Sequence, residues 1–265
     1  MIKFCIETYI NNLYENTERI MVDLKKIHYI PNLNRFTNLK ILWCHDNQLT
    51  SLPNLSFLEN LQELICCNNQ LTCLPSLNTN FKILYCSNNK LTCLPSLNKN
   101  LKILNCSNNQ LTCIPNLNEH LEELNCSNNQ LTCLPNLNEH LEILNCRVNQ
   151  LTCLPNLNEH LQILNCSNNQ LTCLPNLNEK LYALYYYNNP IYTIIDSDSL
   201  IIIRKKLQIL YICRHLYYCL KFKSQFWHLL WKIREPKIMQ KYHPSYLYDF
   251  LTDENIDIDM VLDNW

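Results

Sequence analysis

Seventeen cysteines and eight histidines are the side chains of this 265-residue sequence best suited to metal or redox chemistry. Their spacing is regular. Cys44, Cys66, Cys86, Cys106, Cys126, Cys146 and Cys166 form one series, and Cys73, Cys93, Cys113, Cys133, Cys153 and Cys173 form a second, seven residues further on within each unit. Zinc sites use closely spaced ligand pairs such as C-x-x-C, and none occurs here. Both series therefore read as packing, with cysteine serving as a small hydrophobe. A Glu-His pair recurs at Glu119-His120, Glu139-His140 and Glu159-His160. One rung of a stacked structure apart, these imidazoles would lie roughly 5 Å from one another, a spacing that suits a divalent ion. Repetition of the same pair argues instead for solvated residues copied by duplication. No H-E-x-x-H and no justified Ser-His-Asp order is present, and the chain has no glycine at all. Phosphate-cradling loops and nucleophile elbows need a residue without a Cβ. The expectation is a protein that is not an enzyme, with no catalytic residue, cofactor or metal.

The elements that would position these residues come from an internal repeat. Units begin at Leu39, Leu61, Phe81, Leu101, Leu121, Leu141 and Leu161, first 22 and then 20 residues apart, with LEELNCSNNQLTCLP a representative core. A degenerate eighth unit starts at Leu181, and half a unit precedes the array at residues 27–38. In each unit the residues around L-x-C form a short strand whose alternation sends Leu and Cys inward. Leu124, Cys126, Leu131, Leu134 and Leu137 then stack on their equivalents in the next unit. One unit cannot cover its own apolar face, so stability must come from stacking.

This pattern, LxxLxLxxNxL, resembles the leucine-rich repeat over about 60% of the chain. The resemblance implies an α/β solenoid of the short-repeat horseshoe type, with a parallel sheet on the concave side and an extended convex side. It is closest in style to the short repeats of bacterial effector proteins, some of which carry a C-terminal ubiquitin-ligase domain. The segment REPKIMQKYHPSYLYDFL…DIDMVLDNW resembles a C-terminal module of giant DNA virus proteins with similar repeats. No ligase nucleophile motif surrounds Cys213 or Cys219, and too few residues precede the array for an F-box. The organisation expected is an N-terminal cap with a partial repeat (1–38), the solenoid (39–195), and a helical C-terminal module (196–265).

Asn47, Asn69, Asn89, Asn109, Asn129, Asn149, Asn169 and Asn189 share one slot. They read as a structural ladder of buried amides that satisfy backbone groups where the chain leaves the strand. Replacing Asn129 should therefore be costly, and replacing its neighbour Asn128 should cost under ~0.5 kcal/mol, as exposed changes do. Strand alternation places two outward rows on the concave face. One runs Trp43, Ile65, Tyr85, Asn105, Asn125, Asn145, Asn165, Tyr185. The other runs His45, Cys67, Ser87, Ser107, Ser127, Arg147, Ser167, Tyr187. Interface anchors tend to be aromatic or Arg, so the protein-binding candidates are Trp43, Tyr85, Arg147, Tyr185 and Tyr187.

Composition shifts after Ile195. An N-cap cluster, Asp196 to Ser199, leads into Ile203, Leu207, Leu210, Cys213, Tyr217 and Leu220 at helical spacing. A second helical run carries Phe226, Leu229, Leu230 and Ile233, and Pro244 opens a third. Ten Lys/Arg between Arg204 and Lys241 and six acids between Asp249 and Asp263 give the two stretches opposite charge. The module reads first as a helical cap over the last rung, with a basic surface for nucleic acid or membrane, or a docking module for another protein, as the alternatives. The N-terminus has no apolar core of signal-peptide length, and no run is apolar enough to span a membrane. The thiols are therefore expected to be reduced in a cytoplasmic location, that of the host cell if the protein is viral. The function expected is a non-catalytic protein-binding scaffold with an unidentified host or viral partner. The alternatives are a substrate-recruiting arm for host ubiquitin ligation, or nucleic-acid or membrane attachment through the basic helices.

Overall fold

A computed structural model of the protein describes residues 4–221, with side chains described to Cys213. Nine three-residue strands form one parallel sheet in chain order: β1 Arg19–Met21, β2 Ile41–Trp43, β3 Glu63–Ile65, β4 Ile83–Tyr85, β5 Ile103–Asn105, β6 Glu123–Asn125, β7 Ile143–Asn145, β8 Ile163–Asn165 and β9 Ala183–Tyr185. Register follows the repeat, with Leu84 opposite Leu104 and Leu104 opposite Leu124. Three helices complete the described chain: α1 Ile6–Asn11, α2 Tyr192–Ile195 and α3 Leu200–Lys221. No helix among the described residues is long and apolar enough to cross a membrane. The fold is a parallel β-solenoid of short repeats followed by a helical region.

Strands β2 to β8 bury their central Leu, and the following Cys slot is equally closed: Leu42, Cys44, Leu64, Cys66, Leu144 and Cys146 have no exposed surface, whereas Leu184 of β9 is half-buried. The return side is thinner. Leu55 and Leu58 are buried in the first full unit, whereas Leu134 and Leu137 are only half-buried. The core is thus a sheet-side stack of Leu and Cys, and the expected burial of Leu134 and Leu137 is incomplete.

Strand β1 makes the partial repeat longer than the residue pattern suggests. Residues 27–38 are the second half of a full turn that begins at Arg19, with Ile20 and Val22 in the inward slots. Lys25 occupies the asparagine slot of that turn, so its own backbone N–H, with that of Ile27, is taken by Asn47 Oδ1 at 3.1 Å. At the start, α1 buries Ile6 and Ile10. At the end of the array, Tyr186 stands where earlier units have Cys. It is buried, its hydroxyl donates to Ser197 O at 2.7 Å, and its ring meets Tyr192. Ile191, Ile195 and Ile203 are buried against this last rung. The first compact unit of the chain ends at Leu207, inside α3. The helical runs expected after Lys221 and the acidic tail lie outside the described residues.

Candidate functional site

Two asparagine ladders fix the geometry of the sheet. In the first, Asn129 Nδ2 donates to Cys126 O (3.0 Å), Ser127 O (3.2 Å) and, across the rung, Cys106 O (3.1 Å), while Oδ1 accepts from Leu111 N (3.0 Å). Asn47, Asn69, Asn89, Asn109, Asn149, Asn169 and Asn189 repeat the scheme. The second ladder was not read from the sequence. Asn118, Asn138, Asn158 and Asn178 each donate to two carbonyls of the preceding rung, as Asn118 does to Asn98 O and Leu101 O. Its signal was the Asn of each L-P-x-L-N or I-P-x-L-N, which is inconspicuous in a chain with 40 asparagines. Arginines close this ladder at both ends. Arg35 donates to Ile10 O and Leu13 O, and Arg204 to Asn178 O (2.8 Å) and Leu181 O (3.2 Å).

With no glycine available, the left-handed turn after each strand falls to Asn or Asp. Asp46, Asn68, Asn88, Asn108, Asn128, Asn168 and Asn188 have φ between 54° and 56°. These residues tolerate that region better than others because their short polar side chains bond locally. The exceptions are Leu24 after β1, at φ 58°, and Val148, at φ 52°; for a β-branched residue such as Val148 this conformation is a genuine outlier. The expectation that Asn128→Ala is nearly free is therefore corrected: an alanine there costs about 1 kcal/mol.

The open face of the sheet differs from the expected pair of rows. Residues at positions 1 and 3 of strands β2 to β8 are half-buried and point away from the core, and in β1 and at Tyr185 of β9 they are exposed. The first of these rows, Ile41, Glu63, Ile83, Ile103, Glu123, Ile143 and Ile163, was missed. It forms an isoleucine row, interrupted by Glu63 and Glu123, beside the row of Trp43, Tyr85 and the asparagines. The expected serine row is not surface at all: Ser87, Ser107, Ser127 and Ser167 are buried. Ser107 donates through both N–H (3.1 Å) and Oγ (2.8 Å) to Asn105 Oδ1, and Ser127 does the same to Asn125. That ties down the amide oxygens and leaves the Nδ2 donors of Asn105 and Asn125 for a partner. Where the slot holds Arg147 or Tyr187, the side chain is exposed.

All five candidate residues lie on this face, but not together. Trp43 and Tyr85 sit two strands apart, on β2 and β4. Tyr185 sits on β9, about 34 Å from Trp43 at about 4.8 Å per strand, with Tyr187 just beyond it and Arg147 after β7. The Trp43 indole donates to Glu63 Oε1 at 2.8 Å and lies edge-on to His45. Burial, with Glu123 and Glu63 nearby, raises the Tyr85 phenol, so it stays a neutral donor.

The thiols divide sharply. Burial pushes Cys126 and Cys166 up to about 12, and the other core cysteines also rise, because a thiolate there would be desolvated. The turn series is not core, contrary to expectation: Cys73, Cys93, Cys113, Cys133 and Cys153 are exposed and Cys173 is half-buried. Iodoacetamide at pH 8 should label the turn series in the native protein and spare Cys66, Cys106 and Cys146. Equal labelling of both series by peptide mass spectrometry would contradict the burial. His120 and His140 rings stack at 6.2 Å, and among the described residues no three Cys, His, Asp or Glu side chains converge as a metal site.

Comparison with solved structures places this geometry in a family. The leucine-rich effector protein YopM of Yersinia pestis is similar at 31% identity, over 69% of this chain and 52% of that one, with a TM-score of 0.63. YopM of Yersinia enterocolitica is similar at 26% identity, over 69% of this chain and 49% of that one, with a TM-score of 0.57. A leucine-rich repeat domain of a Shigella effector matches at 30% identity, over 63% of this chain and 74% of that one, with a TM-score of 0.54. The chain is a leucine-rich repeat protein. It spans about half the length of the two Yersinia proteins it matches. No family model and no curated protein sequence matches it.

Within this leucine-rich repeat protein, Arg147 and Val148 replace the Ser-Asn pair of the neighbouring rungs. The pair puts an exposed guanidinium on the open face beside a β-branched residue in the left-handed region. Val148→Asn should raise stability by about 1 kcal/mol, measured by urea titration against the parent. No gain would show that the turn relaxes around valine.

Proposed function

We propose that this leucine-rich repeat protein is a non-catalytic scaffold that binds another protein across the open face of its sheet. The carrying observation is the pairing of two isoleucine pairs, Ile83 with Ile103 and Ile143 with Ile163 either side of Glu123, with a parallel row of asparagine Nδ2 donors. An extended segment laid across the strands would bury apolar side chains on Ile83, Ile103, Ile143 and Ile163. Its carbonyls would accept from Asn105 and Asn125. Tyr85 and Arg147 are the residues of the types that usually anchor such contacts. The likeness to leucine-rich repeat effectors supports a binding role, and a face built from copied rungs supports recognition over catalysis.

The test compares affinity capture by three full-length proteins: the parent, Tyr85→Ala/Arg147→Ala on the open face, and Asn136→Asp on the return side. One partner recovered by the parent and by Asn136→Asp, and lost with the double variant, is the expected outcome. A partner retained by the double variant would place binding elsewhere.

A further inference from the structure

The six turn cysteines form a column, one per rung from Cys73 to Cys173, bracketed by the hydroxyl residues Ser51 and Thr193 in the same slot. The column cannot fan out, because neighbouring rungs are pinned on both sides of it. On the strand side, Lys90 N donates to Leu71 O at 2.9 Å and Leu71 N to Asn89 Oδ1 at 2.9 Å. On the return side, Asn98 Nδ2 donates to Asn78 O at 2.7 Å. The same pins recur at each of the following rungs. Pins on either side of the turn place successive cysteine backbones one rung apart, near the roughly 4.8 Å spacing of hydrogen-bonded parallel strands. Five of these thiols are exposed, and their side chains can turn toward one another.

We propose that this column binds soft monovalent metal ions of the copper(I) class, each ion bridging the sulfurs of two neighbouring rungs. Two metal–thiolate bonds of about 2.3 Å laid end to end span about 4.6 Å, close to the rung spacing. Among biological metals, thiolates favour copper(I), zinc and iron–sulfur clusters. Zinc in a closed site needs four ligands in a tetrahedron, and a single column offers an ion two sulfurs. Binding breaks two S–H bonds, forms two S–metal bonds and releases two protons to solvent, with no change of oxidation state. Six thiols taken two at a time hold three ions.

The test is an anaerobic titration of the full chain with copper(I) against a coloured copper(I) chelator. Capacity is read above that of a protein with all six turn cysteines changed to serine. Two variants keep three thiols each in different arrangements. Cys93→Ser/Cys133→Ser/Cys173→Ser leaves thiols two rungs apart, about 10 Å, and should hold no ion. Cys133→Ser/Cys153→Ser/Cys173→Ser leaves three consecutive rungs and should hold one. Equal capacity in these two variants, or no excess in the parent over the six-serine protein, would overturn the proposal. The substituted positions lie outside the core, and circular dichroism checks that each variant keeps its fold.

Discussion

Asn129→Ala is expected to lower the stability of the solenoid by about 3 kcal/mol, since one buried polar group left unpaired costs about 1–3 kcal/mol and each further hydrogen bond lost about 0.5–1.5 kcal/mol. The substitution strands the N–H of Leu111 and removes one of two donors from each of Cys106 O, Cys126 O and Ser127 O, which keep Asn109 Nδ2, Asn149 Nδ2 and the Asn108 N–H. Part of that loss returns where water reaches the half-buried carbonyls, which is why the sum is not larger. Asn128→Ala, one residue away, removes no ladder bond but puts alanine at φ 54°, and should cost about 1 kcal/mol. Asn128→Gly should be nearly neutral, because glycine adopts that region without strain. Urea titrations of the three variants check the order. Equal losses for Asn129→Ala and Asn128→Ala would mean that the ladder amide is not what holds the rungs.

The second large effect concerns the C-terminal end of the array. Deleting residues 199–265 removes Ile203, which is fully buried, and Arg204, which donates to Asn178 O and Leu181 O. Burying an isoleucine gains about 1.5–3 kcal/mol, and hydrogen bonds from a charged donor contribute about 1.5–3 kcal/mol. The last rung thus loses on the order of 5 kcal/mol of support, and a terminal repeat needs a cover to stay soluble. The truncated chain should aggregate or exchange its amide hydrogens rapidly over residues 161–195. The full-length variant Arg204→Ala isolates the carbonyl contacts and should open β9 alone. A monodisperse truncation with unchanged protection over 161–195 would show that residues 191–198 close the end by themselves.

The inward slots and the register were legible because a 20-residue period fixes them and one-residue slips would expose every Leu. The first asparagine ladder was legible because a polar residue held one slot through eight units. Three features were hidden, each for a physical reason. Strand β1 escaped because Lys25 stands in its asparagine slot, so the most visible mark of a rung is missing. The serine row was placed outside by extending strand alternation to a third outward position. The strands are only three residues long, and past Cys106 the chain has already turned inward. The turn cysteines share a residue type with the core cysteines, and composition cannot separate a thiol in a closed slot from one at a bend. The isoleucine row was passed over because apolar residues were assigned to the core, although in this fold they also line the face left open.

The central claim is that the open face of the sheet, and not the return side, contacts a partner. Site-specific photo-crosslinking tests it most directly, with a photoreactive phenylalanine analogue at Tyr85 in one protein and at the exposed Asn136 of the return side in another. The position 85 probe should yield one dominant protein adduct in cells and the position 136 probe none. The same adduct from both positions, or from position 136 alone, would contradict the account.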